Sequence, residues 1–132
     1  MNIKISDIKD YGNLDKERVV LNVLSDVDLG KYVLSSTVEL PDNRISANIN
    51  NIYWLPDQIL KTGDMIVIYT KKGERSNRQN EDGTTTYFFY WGLTEPLGKD
   101  SKKGIVLFET TWTYRKVVPD QSDSEVIQPK DV

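Results

Sequence analysis

The chain has 132 residues, 28% of them charged and 38% hydrophobic, and contains neither cysteine nor histidine. That length accommodates one core rather than two, and the missing residue types exclude disulfides, thiolate chemistry, Ser-His-Asp and Cys-His catalysis and the usual zinc sites within the chain. The net charge of -3 is that of residues 119–132, PDQSDSEVIQPKDV, where four acids oppose one lysine, so residues 1–118 balance to zero and do not attract nucleic acid as a body.

The opening MNIKISDIKDYG lacks the apolar stretch of a signal peptide, and no apolar run is long enough to cross a bilayer. A product of the cytoplasm, or one assembled from it, is therefore expected. IKISDI adds an edge strand. ERVVLNVL (17–24) and KYVLSSTVEL (31–40) alternate apolar with polar residues and read as strands, and the Ser, Asp and Gly of the intervening SDVDLG predict a turn that joins them as a hairpin. NRISANINNIYW (43–54) changes phase near Asn50 and Asn51, which predicts a bulge. A short helical turn is expected over Pro56 to Leu60, before a Gly63 turn. MIVIYT (65–70) has contiguous apolar residues and reads as a strand buried on both faces.

KKGERSNRQNEDG (71–83) predicts a polar loop. Strand character resumes in TTTYFFYW, an irregular connection follows through residues 92–103, and GIVLFET (104–110) and TWTYRKVV (111–118) supply the last strands. From Pro119 the composition is acidic and poor in apolar groups, as in a flexible tail. About seven or eight short strands without an amphipathic helix predict an all-β antiparallel sandwich over residues 1–118 followed by a flexible acidic tail over residues 119–132. No motif supports a parallel sheet built on helical crossovers.

Three stretches carry a family resemblance. Val27-Asp28-Leu29-Gly30-Lys31-Tyr32-Val33-Leu34, Leu60-Lys61-Thr62-Gly63-Asp64-Met65-Ile66-Val67-Ile68-Tyr69 and Gly104-Ile105-Val106-Leu107-Phe108 occur in the order found in lamin-tail domains. In their sequence the chain resembles that family across residues 17–118. The resemblance implies an immunoglobulin-like sandwich acting as a noncatalytic contact module.

The aromatic run at residues 84–97 is the strongest local signal. In a strand, Tyr87, Phe89 and Trp91 share one face while Phe88 and Tyr90 take the other, so rings point both into the core and away from it. The second face either lies under a loop such as 93–103 or forms a protein contact. Trp54, Trp91 and Trp112 are expected to pack as one cluster between the sheets. Lys71, Lys72, Arg75 and Arg78, offset by Glu74, form a basic stretch that either tips a solvated hairpin or touches phosphates, extended by Lys99, Lys102 and Lys103 if the two loops adjoin. Asp26-Val27-Asp28 reads as turn chemistry because the remaining oxygens of a calcium loop are missing.

The resulting expectation is a structural or protein-interaction module of a larger assembly, touching its partner through Tyr87 to Trp91. A virion or surface-assembly component is one concrete form, and self-association is compatible with it. Nucleic-acid binding through 71–78 is the second reading. A hydrolase using carboxylates such as Glu95 and Asp100 is the third. No catalytic residue, cofactor or metal site is assigned.

Overall fold

Alternating side chains become strands nearly everywhere they occur. The computed structural model describes residues 1–99 and 103–119. Within them the chain is all-β, with β1 (Ile3–Lys9), β2 (Arg18–Val23), β3 (Val27–Asp28), β4 (Tyr32–Leu40), β5 (Arg44–Ile45), β6 (Asn50–Trp54), β7 (Ile59–Leu60), β8 (Met65–Tyr69), β9 (Ser76–Gln79), β10 (Thr85–Tyr90) and β11 (Lys103–Glu109). Single 3-10 turns occur at Leu29–Lys31 and Leu97–Lys99. Of the flexible tail expected over residues 119–132, residues 120–132 lie outside the described residues.

Five strands form one sheet in the order β1-β2-β8-β10-β9, while β11, β5 and β6 all pair with β4 in a second layer and β3 pairs with β7. The two layers face each other across one core. Val19 and Leu21 of β2, Ile66 and Ile68 of β8 and Phe89 of β10 pack with Tyr32 and Leu34 of β4, and Leu29, Leu55, Leu60 and Leu97 complete the cluster. Removing such side chains from water is the main favourable term in folding. In β8, Ile66, Val67 and Ile68 are all buried, as contiguous apolar composition predicts for a strand flanked on both sides.

The pairing is antiparallel with one exception. β10 runs parallel to β8, from Thr86 opposite Met65 to Tyr90 opposite Tyr69. Parallel neighbours need a long crossover, and residues 70–84 supply it without a helix. They leave β8, place β9 outermost, and return through a hairpin so that β10 enters between β8 and β9. The expected loop at 71–83 therefore contains a strand. Its SNRQ side chains are all exposed, so no apolar alternation marked it.

Other expectations need correction. β2 and β4 are not a hairpin: β2 pairs with β1 and β8, and β4 belongs to the opposite sheet. The intervening residues switch sheets because Asp28 caps the 3-10 turn, its carboxylate accepting the Gly30 N–H at 2.9 Å, and β3 joins β7. The helical turn expected over Pro56 to Leu60 does not form; residues 55–58 are irregular and lead into β7. Residues 111–118, expected to be strand, pair with no strand among the described residues. The phase slip in β6 is a bulge: between the pairs Leu34–Tyr53 and Ser36–Asn50, β6 has one residue more than β4, and Asn51 takes φ 50°.

Candidate functional site

In β10 the aromatic run divides as its period of two requires. Phe89 is 3% exposed within the core, and Tyr87 and Trp91 pack against that core while remaining half-buried. Trp91 stacks on Tyr53 of β6 with centroids 5.8 Å apart. Three of the five predicted contact residues are thereby committed to the interior. Phe88 and Tyr90 remain on the outer face of the five-stranded sheet, both half-buried.

The outer face is ordered by register. Tyr90 lies opposite Tyr69, and Tyr69 lies opposite Arg18; one row along, Phe88 and Val20 flank Val67. The Tyr69 and Tyr90 rings stack 5.4 Å apart at 13°. Lys71 and Arg18 lie 5.5 and 5.9 Å from the Tyr69 centroid, and Arg78 lies 5.5 Å from that of Phe88. Each such contact is worth about 0.5–1 kcal/mol at an exposed site. The cations are thus held over aromatic rings rather than spread through solvent, although Arg18 also pairs with Asp10 at 2.6 Å.

The crossover from β8 lies against the Tyr90 end of this face, and of the loop expected there Leu93 and Leu97 turn to the core instead. Gly73 lies so close to the Tyr90 ring that a β-carbon would overlap it. Beyond it opens a cleft of about 460 Å³ whose walls include Tyr53, Pro56, Phe89 and Tyr90, with Glu74 and Arg75 beside them. Burial raises the Tyr53 hydroxyl above its ordinary pKa, and the nearby Arg75 charge opposes that rise. A separate groove of about 320 Å³ lies on the outer face beside Arg18, Val20, Met65 and Val67.

The structure therefore joins the aromatic and basic predictions on one surface. Lys71, Arg75 and Arg78 border the outer rings, while Lys72 approaches Gly92. Tyr69 and Arg18 were missed. Their signal was parity with Val67 and Val20, but it has meaning only once both strands are known to be neighbours in one sheet. Lys99 is held by Glu95 at 3.0 Å, and Lys103 starts β11. Lys102 and Asp100 lie outside the described residues.

The tryptophans do not form one cluster. Trp54 meets Trp112 edge-on at 5.0 Å, whereas Trp91 contacts Tyr53, whose side chain points to the opposite side of β6 from Trp54. Asp26 accepts from both the backbone N–H and hydroxyl of Thr62, which lowers its pKa, and Asp28 binds the N–H groups of Gly30 and Gln58. Both aspartates organise turns.

Glu17 is a buried carboxylate that the sequence did not single out. It is 0% exposed; one oxygen accepts the Leu97 N–H at 2.6 Å, and the other accepts those of Gly12 and Gly98 at 2.8 and 2.9 Å. These bonds tie the β1–β2 turn to the 97–99 turn. With both oxygens so engaged, Glu17 acts as a clamp between loops. Among the described residues no helix is long and apolar enough to cross a membrane. Comparison with protein-family models and with curated proteins finds no match.

Proposed function

We propose that the chain is a noncatalytic protein-interaction module of a larger assembly, and that its contact is the outer face of the five-stranded sheet. The observation that carries this reading is the Tyr69–Tyr90 stack bordered by Arg18, Lys71 and Arg78. Tyrosine and arginine dominate the energetic centres of protein interfaces, where a ring covers area with little entropy to lose and a guanidinium binds carboxylates bidentately. The partner surface suited to it is acidic with apolar groups between the charges. Two facing β-layers support an immunoglobulin-like sandwich of lamin-tail type; the parallel β8–β10 pair is the element such an assignment must accommodate. A virion or surface assembly is one setting for such a module.

Affinity capture from a native lysate, with wild type beside K71A/R78A and Y90A, tests the contact. The same protein should be retained by wild type and lost by both variants while circular dichroism shows each variant still folded. Equal retention by all three refutes the proposed surface.

Alternation of cations and rings also favours a second reading, single-stranded nucleic acid with phosphates on Lys71, Arg75 and Arg78. Glu74, Glu81 and Asp82 in the same segment oppose it. In a salt titration this reading requires the slope to fall by about one for each of these cations removed. A slope indifferent to their loss eliminates it.

A further inference from the structure

Each sheet ends in strands whose outward backbone groups need protection from stray pairing. β9 has only four residues, all polar and exposed. β1 is interrupted by a register shift between Ile5 and Asp7, and β6 is broken by the Asn51 bulge. β11 carries no such device. Its seven residues pair with β4 in unbroken register from Lys103 opposite Val38 to Glu109 opposite Tyr32, and Ile105-Val106-Leu107-Phe108 is wholly apolar.

The direction of the open groups follows from one hydrogen bond. The Thr110 N–H donates to the Lys31 carbonyl at 2.8 Å, so even-numbered residues turn their backbone groups toward β4 and alternation turns those of Lys103, Ile105, Leu107 and Glu109 outward. The Tyr11 hydroxyl, which reaches the Lys103 carbonyl at 3.1 Å, fits this direction. Among the described residues no other hydrogen bond meets that side of β11.

We infer that the outer edge of β11 pairs antiparallel with β11 of a second copy of this chain, joining two four-stranded layers across a two-fold axis at Val106. The strand is complementary to itself in that register. Lys103 faces Glu109 of the second copy and Glu109 faces its Lys103, while Ile105 and Leu107 exchange backbone bonds with Leu107 and Ile105. Gly104 comes opposite Phe108, which is 40% exposed, and a β-carbon built at Gly104 meets no atom within 4 Å. The space beside Gly104 therefore receives the Phe108 ring of the second copy, an aromatic-over-glycine pairing that stabilises strand edges. Charge and shape thus both match at positions related by the two-fold axis, as an isologous contact requires.

Sedimentation equilibrium of the full chain over a wide concentration range tests the inference. Wild type should associate to a dimer. Lys103→Glu and Glu109→Lys each place like charges opposite one another twice and should weaken association about tenfold, whereas an equimolar mixture of the two variants restores opposite charges and should pair; because Glu109→Lys also removes the acceptor of the Tyr32 hydroxyl, circular dichroism first establishes that this variant is folded. Gly104→Thr fills the space for Phe108 and should also weaken the dimer, with no loss of melting temperature in dilute solution. Wild type that stays monomeric at every concentration overturns the inference. So does a dimer indifferent to Lys103→Glu and Gly104→Thr, or variants that fail to pair when mixed.

Discussion

Replacing Glu17 by glutamine changes one oxygen to an amino group at nearly constant volume and should rank among the most damaging conservative substitutions in the protein. The glutamine oxygen can keep the Gly12 and Gly98 bonds, but its amino group then confronts the Leu97 N–H, now 2.6 Å from a carboxylate oxygen. Hydrogen bonds to a charged group contribute about 1.5–3 kcal/mol each, and a buried donor left without an acceptor costs about 1–3 kcal/mol. Losing one bond outright and weakening two gives a destabilisation of about 3 kcal/mol. Relief is poor because Gly98 lies against Gly12 and Tyr11 without room even for a β-carbon. For a domain of this size that loss lowers the melting temperature by about 10 °C. Urea titration followed by circular dichroism should show a lower midpoint at unchanged slope, and Glu17→Ala should lose at least about 4 kcal/mol. A glutamine variant within about 1 kcal/mol of wild type would refute the account of Glu17 as a clamp.

Burial, and then the Glu109 carboxylate that accepts from its hydroxyl, raise Tyr32 from 10.0 to about 12. The folded form thus holds this proton more tightly than the unfolded form, so its contribution to stability is complete below pH 10 and disappears as pH rises toward 12. Urea midpoints measured across that interval should fall more steeply for wild type than for Tyr32→Phe, and parallel profiles would contradict the assignment. Gly73→Ala should cost about 1–3 kcal/mol by forcing the crossover off the Tyr90 ring, read from thermal melts; an unchanged melt would show that the segment yields freely. Truncating Arg78 to Ala should change stability by no more than about 1 kcal/mol, because it removes a single exposed cation–aromatic contact.

The parts of the fold that could be read from sequence are those where burial imposes a short period. β2, β4, β8 and β10 alternate, or are apolar throughout, because a sheet face or both faces are dry, and the bulge in β6 showed as a change of phase. β9 was hidden because its ladder bonds to β10 are backbone bonds, and SNRQ buries nothing that would mark a face. TWTYRKVV shows the converse: its β-branched and aromatic residues have strand propensity, yet no strand among the described residues pairs with it. At the candidate site, the separation of Tyr87, Phe89 and Trp91 from Phe88 and Tyr90 was legible. Tyr69 and Arg18 were not, since each becomes part of the surface through a neighbour more than ten positions distant.

Composition and side-chain order alone settled that the chain is built from strands, which residues of each strand share a side, and which catalytic chemistries it cannot perform, because these depend on residue identity and on a backbone period of two. The sheet to which each strand belongs was settled by tertiary structure. So were the parallel entry of β10 between β8 and β9, the union of the basic crossover with the outer rings, and the choice of Glu17 as the clamp between two loops. These depend on contacts between distant segments, where the total burial of two layers and the satisfaction of backbone groups outweigh any local preference.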